Sequence, residues 1–326
     1  MPPLLSIRNL STVFAMRDGV RRAVNQVDLD VNVGETVAIV GESGSGKSVL
    51  ALSILRLLPS PPAEIVSGRI MFDGTDLLTV DEAQLRKVRG AQIGFVFQEP
   101  MTALNPVLTV GRQITEQLEE HLGLTGRAAH RRACELLELV EMPEPERRLR
   151  SYPHQFSGGM RQRAMIAIAL SCGPRLLIAD EPTTALDVTT QAAVLDLIQG
   201  IARKSGIAVL LITHDLGVVA RYADRVSVMY AGRVVEQAAA DVLFANPLHP
   251  YTQGLLASVP RVDRTGSGIH PIRGNPPDAS RLPTGCAFRE RCDKAISECA
   301  TQMPVIEVHD GSAVACWVAS NEHQHA

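Results

Sequence analysis

The sequence lacks a strong excess of either charge, a long apolar run and an export signal. Its 326 residues carry 35 acidic and 32 basic side chains, for a formal net charge of −3, which argues against a partner such as nucleic acid that binds by bulk electrostatics. The longest apolar run, Ala164–Leu170, is far shorter than the roughly 20 residues that span a bilayer. No basic segment followed by an apolar one opens the chain, so we expect a soluble, cytoplasmic protein.

Cysteine is scarce over most of the chain and concentrated near its end. Cys134 and Cys172 stand alone, and the other four cysteines lie beyond residue 285. In a reducing compartment such a group favours metal binding over disulfides. The hydrophobic content of 45% and charged content of 21% are those of a globular protein. The length suggests about two domains.

Short apolar segments alternate with helical patterns along the chain, which predicts an α/β fold with a parallel sheet. An antiparallel β portion is expected at the N-terminus, a helical insert at about 99–152, and an extended Gly- and Pro-rich connection at about 260–283. A helix is predicted over Ser48–Leu58, ended by Pro59. The candidate strands are Leu5–Leu10, Val27–Val31, Thr36–Val40, Leu176–Ala179 and Ala208–Ile212.

A glycine-rich loop follows the third of these strands and matches G-x-x-x-x-G-K-[ST] without exception. Its glycines let the backbone turn N–H groups toward phosphate oxygens, and the following helix adds its positive dipole end. Lys47 can reach the β- and γ-phosphates, and the Ser48 hydroxyl can bind Mg²⁺. The loop therefore predicts a site for a nucleoside triphosphate. Its residues are Gly41, Glu42, Ser43, Gly44, Ser45, Gly46, Lys47 and Ser48.

Two adjacent carboxylates end the strand that begins at Leu176. Asp180 suits the Mg²⁺ shell, and Glu181 can orient and deprotonate an attacking water. A carboxylate placed to activate water favours hydrolysis over transfer of the phosphoryl group to another substrate.

A second phosphate-binding pattern occurs at residues 156–163, Phe-Ser-Gly-Gly-Met-Arg-Gln-Arg. Ser157 is a suitable N-cap, and the two glycines after it expose N–H groups at the positive end of a helix. Alone, such a segment is more often an ordinary helix start; with the other motifs it predicts a second phosphate receptor.

With these motifs in this order, residues 4–260 resemble the ATP-binding subunit of ATP-binding cassette (ABC) transporters, which implies the P-loop cassette fold. The resemblance implies that Gln98 is a catalytic and Mg²⁺-binding residue, Asp187 the D-loop aspartate and His214 the switch histidine. It also places Val49 in the ATP site, whereas Phe14 could either stack on adenine or belong to the core. The residues matching the signature, which meets the γ-phosphate of a partner subunit, are Ser157, Gly158, Gly159, Met160 and Gln162.

Three further segments, residues 98–106, 246–253 and 285–292, resemble the oligopeptide/dipeptide importer group. The resemblance implies a second ABC ATPase in a homo- or heterodimer, two transmembrane permease subunits and an extracytoplasmic substrate-binding protein. It also implies a peripheral location on the cytoplasmic face of the membrane. Nickel and sugars remain alternative cargoes. An ABC ATPase acting on DNA or ribosomes is disfavoured because sustained heptads are absent.

The terminal cysteines follow the pattern C-x5-C-x6-C-x16-C, which by spacing alone fits Zn²⁺, an iron–sulfur cluster or packed thiols. The resemblance implies a [4Fe–4S] cluster. We therefore expect a cassette over residues 1–260, with a helical subdomain at about 99–160, and a linker and Cys-rich C-terminal domain over 261–326. The predicted ligands are Cys286, Cys292, Cys299 and Cys316.

Overall fold

The computed structural model describes residues 2–17, 19–184, 186–258 and 271–324. The strands are β1 (Leu5–Met16), β2 (Gly19–Val31), β3 (Thr36–Val40), β4 (Ala63–Phe72), β5 (Thr75–Asp76), β6 (Ile93–Val96), β7 (Leu176–Asp180), β8 (Ala208–Ile212), β9 (Arg225–Tyr230), β10 (Arg233–Ala239), β11 (Glu307–His309) and β12 (Ser312–Val314).

The helices in these ranges are α1 (Lys47–Ile54), α2 (Glu82–Val88), α3 (Pro100–Ala103), α4 (Val110–Leu122), α5 (Gly126–Leu139), α6 (Pro145–Arg148), α7 (Gly158–Leu170), α8 (Val188–Ser205), α9 (Leu216–Tyr222), α10 (Ala240–Ala245), α11 (Pro250–Ala257), α12 (Glu298–Thr301) and α13 (Trp317–Gln324). Two 3₁₀ turns cover Pro153–Gln155 and Arg289–Arg291.

One compact unit consists mainly of residues 31–35 and 79–212. Its strands β8, β7 and β6 pair in parallel in that order. Every residue of β7 and β8 is buried, as expected for strands covered on both faces. The predicted parallel α/β core is therefore confirmed.

The helices between β6 and β7 give this unit its helical part. In α4, the side chains of Val110, Ile114 and Leu118 are buried at a spacing of four residues, so one face of the helix packs inward. Helix α7 buries most of its residues from Ala164 to Leu170, and α4 and α5 both contact it.

The second unit contains residues 3–30, 36–78 and the described residues from 213 onward. Its antiparallel sheet has the strand order β2-β1-β4-β5, which confirms the β portion predicted at the N-terminus. A second set of strands has the order β11-β12-β10-β9-β3, in which only β3 and β9 pair in parallel. Phe288, from the Cys-rich segment, packs in one core cluster with Val40, Tyr230 and Tyr251.

The helix predicted over Ser48–Leu58 is shorter than expected, so that prediction is wrong at its C-terminal end. Helix α1 stops at Ile54 because Arg56 takes a positive φ of 50°. The N–H of Arg56 donates to the Ser53 carbonyl and that of Leu57 to the Leu52 carbonyl, which is a Schellman ending. The chain thus leaves the helix before Pro59.

The predicted domain boundary between residues 260 and 261 lies outside the described residues. Within the described part of the predicted connection, residues 271–283, there is no helix or strand. None of the helices in the described ranges combines the length and apolar character needed to cross a bilayer.

Candidate nucleotide-binding site

The glycine-rich loop connects β3 to α1, and its shape depends on glycine. Gly46 caps α1 with a φ of 101°, and a Cβ atom there would lie 2.2 Å from the Ala23 carbonyl oxygen. At Gly41, a Cβ atom would lie 2.1 Å from the Met229 carbonyl oxygen. Any larger residue at these two positions would push the loop away from the strands beneath it.

Lys47 lies folded into this loop. Its side chain is 5% exposed, and Nζ donates to the carbonyl oxygens of Gly41 at 2.8 Å and Glu42 at 2.9 Å. Ser48 and Val49 follow on the first turn of α1 and are half-buried, whereas Ser43 and Gly44 are exposed at the tip of the loop. The loop thus holds a positive charge beside the N-terminus of a helix, as a phosphate site requires.

In the other unit, the structure brings Gln98 and Glu181 together. Asp180 ends β7 and is 4% exposed. Glu181 follows with a φ of 44°, and its N–H donates to the Ile212 carbonyl at 2.9 Å. Its Oε2 accepts from Gln98 Nε2 and from Thr184 Oγ1, both at 3.0 Å. The positive φ is strained for a non-glycine residue, and together with two hydrogen bonds it fixes where this carboxylate points.

The signature segment begins α7 as predicted. Ser157 is the N-cap, and its Oγ accepts from the Met160 N–H at 3.3 Å. Ser157 and Gly158 are exposed and Gly159 is half-buried, but Gln162 is only 1% exposed. The first turn therefore presents backbone N–H groups outward, while Gln162 belongs to the interior of the unit.

Asp187 is the N-cap of α8 and accepts from the N–H and the hydroxyl of Thr190 at 3.0 and 2.7 Å. The Thr190 hydroxyl is the main cause that holds the pKa of Asp187 below its ordinary value. Ala185, the first residue of the predicted D-loop, lies outside the described residues.

His214 and Phe14 lie in the same unit as the glycine-rich loop. His214 is exposed and precedes Asp215, the N-cap of α9. Phe14 is half-buried near the end of β1, where it pairs in register with Ala63. Both stacking and packing roles for Phe14 are compatible with that partial exposure.

The four terminal cysteines occupy one neighbourhood. Cys299 and Cys316 are buried, Cys286 and Cys292 half-buried, and the Cys286 N–H donates to the Cys299 carbonyl at 2.9 Å. Burial raises the pKa of the Cys286 thiol to about 11, and the other three cysteines raise it through space. Burial likewise raises the pKa of Cys292. Among the described residues, no three His, Cys, Asp or Glu side chains are arranged to hold a metal ion.

Sequence reasoning missed three residues that contact the predicted site. Thr184 is hydrogen-bonded to Glu181, and Arg291 and Tyr251 both bind Glu42 of the glycine-rich loop. Tyr251 and Arg291 lie in segments that resemble peptide importers, but no residue pattern in those segments indicates contact with the loop.

Comparison with known proteins identifies the class. Residues 24–184 match the ABC transporter family, and residues 235–299 match the C-terminal region of oligopeptide/dipeptide transporters. A solved dimeric ATP-binding cassette in a post-hydrolysis state, bound to ADP and Pi, superposes with a TM-score of 0.65 at 31% identity, covering 72% of this chain and 98% of that chain.

Full-length relatives narrow the group. The dipeptide transport ATP-binding protein DppD of Bacillus subtilis is 50% identical over 100% of this chain and 98% of its own length. A probable peptide ABC transporter ATP-binding protein of Sinorhizobium fredii is 54% identical over 98% of this chain and 96% of its own length. The chain therefore belongs to the ATP-binding subunits of ABC transporters, in the oligopeptide/dipeptide group.

Members of this family are ATPases that use Mg²⁺, dimerise, and couple ATP hydrolysis to transport through membrane-embedded permease partners. This chain is accordingly an ABC ATPase of a peptide transporter. The predicted fold class and function are confirmed.

Proposed function

We propose that this chain hydrolyses ATP on the cytoplasmic face of the membrane to energise uptake of di- or oligopeptides. The observation that carries the cargo is the match of residues 235–299 to the C-terminal region of peptide transporters. An extracytoplasmic binding protein would deliver the peptide to two permease subunits, and a second ABC ATPase would complete the dimer. Identification of the ligand that co-purifies with the cognate binding protein tests the cargo; nickel or a sugar there would overturn it.

We propose residues 41–49 as the ATP-binding loop. The Lys47 ammonium now donates to two carbonyl oxygens of the loop. When ATP binds, it would donate to the β- and γ-phosphate oxygens instead. Ser48, Asp180 and Gln98 are the proposed Mg²⁺-binding residues, and Mg²⁺ would neutralise charge on the phosphates. The hydroxyl, carboxylate and amide oxygens of these residues are the donor type that Mg²⁺ prefers.

Glu181 is the proposed general base. Gln98 and Thr184 donate hydrogen bonds to Oε2 and so orient the carboxylate. An oriented carboxylate can accept the proton of an attacking water. His214 would contact the γ-phosphate and Asp187 would act in the D-loop, each in the role that the family motif gives it.

The proposed base is tested with Glu181→Gln, which keeps the shape of the side chain and removes its basicity. We expect ATP binding to persist while the hydrolysis rate of the assembled transporter falls by about 10²–10⁴-fold. Glu135→Gln is the matched control, because Glu135 lies on the surface in an exposed ion pair with Arg132. Unchanged hydrolysis in Glu181→Gln would remove Glu181 from this role.

The signature residues Ser157 to Met160 are proposed to bind the γ-phosphate held by the partner ATPase. Support comes from the exposed first turn of α7, whose N–H groups have a dipole-positive environment. Each of the two ATP sites would then be built from the loop of one subunit and the signature of the other.

The four cysteines are proposed to hold a [4Fe–4S] cluster within a C-terminal domain over residues 261–326, following a cassette over 1–260 with its helical subdomain at about 99–160. Support comes from the resemblance to peptide importers and from the closeness of the four thiols, which act on one another electrostatically. In the described part of the chain they are not arranged to hold a metal ion, so cluster binding would deprotonate the thiols and bring them together. The cluster would cross-link and so stabilise the segment around the four cysteines, where the helices and strands are short.

Metal analysis tests this assignment. Anaerobic purification should yield a brown protein with about four irons per chain. Cys292→Ser should lose the iron, whereas Cys134→Ser should retain it because Cys134 lies on α5, in the other unit. A colourless protein that contains zinc would contradict the cluster.

A further inference from the structure

Glu42, the second residue of the glycine-rich loop, is held at three separate groups. Its carbonyl accepts from Lys47 Nζ at 2.9 Å, and its N–H donates to the Tyr251 hydroxyl at 2.8 Å. Its carboxylate accepts two hydrogen bonds from the Arg291 guanidinium, at 2.6 and 2.9 Å. Lys47 belongs to the loop itself, but Tyr251 and Arg291 are distant in sequence. The conformation of this loop residue thus depends on residues outside every nucleotide motif.

The geometry of the pair favours a strong interaction. Both nitrogens at the end of the guanidinium face the carboxylate, and the Arg291 side chain is 5% exposed against 26% for Glu42. Bidentate, charge-assisted pairs are stronger than neutral hydrogen bonds, and burial reduces the solvent screening that weakens surface pairs.

The other groups of Arg291 are also engaged, so the guanidinium has one orientation. Its Nε donates to the Arg273 carbonyl at 2.9 Å, and Nη1 also lies 3.4 Å from the Tyr230 hydroxyl. The rings of Tyr230 and Phe288 lie 5.8 and 5.9 Å from the guanidinium carbon, within the range of cation–π attraction. Contacts other than the one with Glu42 therefore already fix the orientation of the Arg291 guanidinium.

Arg291 ends a 3₁₀ turn and directly precedes Cys292 in the Cys-rich segment. We propose that Arg291 is a positioning residue for ATP binding: it holds Glu42 so that the loop keeps the conformation that receives the phosphates. The Cys-rich segment would in this way set the affinity of the loop for ATP. This inference rests on the proposed assignment of residues 41–49 as the ATP-binding loop.

Arg291→Met tests the proposal, because methionine retains much of the apolar volume and removes the fork of hydrogen-bond donors. We expect the dissociation constant for a fluorescent ATP analogue, measured on the full chain, to rise about tenfold, which corresponds to about 1.4 kcal/mol. In the assembled transporter the KM for ATP should rise by a similar factor while kcat changes less than about twofold, because binding and not chemistry is affected.

Arg273→Met is the matched control. Its side chain is 86% exposed and its ion-pair distance to Asp293 is 4.0 Å, while its carbonyl would still accept from Arg291. ATP affinity should stay at the wild-type value. Arg291→Lys should restore part of the lost affinity, because it keeps the charge but cannot form the bidentate pair.

A double-mutant cycle with Glu42→Gln distinguishes an effect of Arg291 through its pair with Glu42 from an effect through the overall stability of the chain. If Arg291 acts through the carboxylate of Glu42, Arg291→Met should lower affinity much less in the Glu42→Gln background than in the wild type. Equal losses in both backgrounds would overturn the proposal. So would an Arg291→Met chain that unfolds at a lower temperature but binds the ATP analogue as well as wild type does.

The wild-type chain is measured first in the same titration. Failure of wild type to bind the analogue would contradict the proposed ATP-binding loop itself. Binding by wild type with unchanged affinity in Arg291→Met would contradict only the positioning role.

Discussion

The two proposed phosphate-binding segments of this chain differ in how their backbones are held. In the glycine-rich loop, Gly41 and Gly46 pack directly against backbone carbonyl groups, and Lys47 is 5% exposed. In the signature segment, Ser157 and Gly158 are exposed, and a Cβ atom on Gly158 would lie 3.5 Å from the Leu186 side chain, an ordinary van der Waals contact. The glycine-rich loop is thus packed against the rest of its unit, whereas the signature segment lies on the surface of its unit.

This difference indicates how each proposed segment would bind phosphate. The loop is pre-organised by contacts within its own unit, so it should bind ATP in the isolated chain. The signature offers exposed N–H groups at a helix terminus, where a phosphate held by a partner subunit could reach them. A receptor that is built in and a second one that is open are compatible with the composite site proposed for the dimer.

The largest effect is expected from Gly46→Ala. The substitution adds a Cβ atom 2.2 Å from the Ala23 carbonyl at a φ of 101°, so we expect a destabilisation of about 2–5 kcal/mol and loss of measurable ATP binding by the isolated chain. Calorimetric titration with ATP and thermal unfolding measure both. Wild-type ATP affinity in this variant would show that the loop is less constrained than its packing indicates.

Gly158→Asp should act only in the assembled transporter. An aspartate at the first position of α7 suits the helix dipole but places a negative charge where the partner's γ-phosphate would bind. We expect hydrolysis to fall by about 100-fold or more, while the isolated chain binds ATP normally. Gly200→Asp, at an exposed position of α8 with no atom within 4 Å of the added Cβ, is the control and should hydrolyse ATP normally.

A smaller effect, on stability, is expected from the buried His249. It lies two residues before Tyr251, whose hydroxyl accepts from the Glu42 N–H of the loop. His249 is the N-cap of α11 and accepts from the Tyr251 N–H through Nδ1 at 3.0 Å. Burial lowers the pKa of His249 to about 3. Between that value and about 6.5 the unfolded chain binds a proton that the folded chain does not. This contribution to stability is therefore complete above about pH 6.5 and is lost as the pH falls toward 3.

His249→Asn tests this pH dependence, since asparagine can keep the cap without titrating. The slope of the unfolding free energy against pH, measured by denaturant titration between pH 5 and 6.5, should decrease by up to about 1.4 kcal/mol per pH unit. An equal slope in wild type and His249→Asn would show that His249 is not neutral in the folded chain.

Much of the fold and of the candidate site could be predicted because the relevant signals are local. The strand Thr36–Val40 and the loop after it are identified by apolar and glycine residues that are consecutive in sequence. Ser157 could be recognised as an N-cap from the residues that follow it. The end of α1 could not be predicted, because Arg56 adopts a left-handed conformation that its residue type does not favour.

By itself, the sequence determined which segments are candidates for phosphate binding, because a loop of glycines with a lysine at its end carries its chemistry in consecutive residues. Only the tertiary structure decided what supports those segments. The Arg291–Glu42 pair joins residues 249 positions apart, and the partners of Glu181 include a threonine that belongs to no motif. Such contacts depend on how packed elements bring side chains together, and a local pattern of residue types does not specify that.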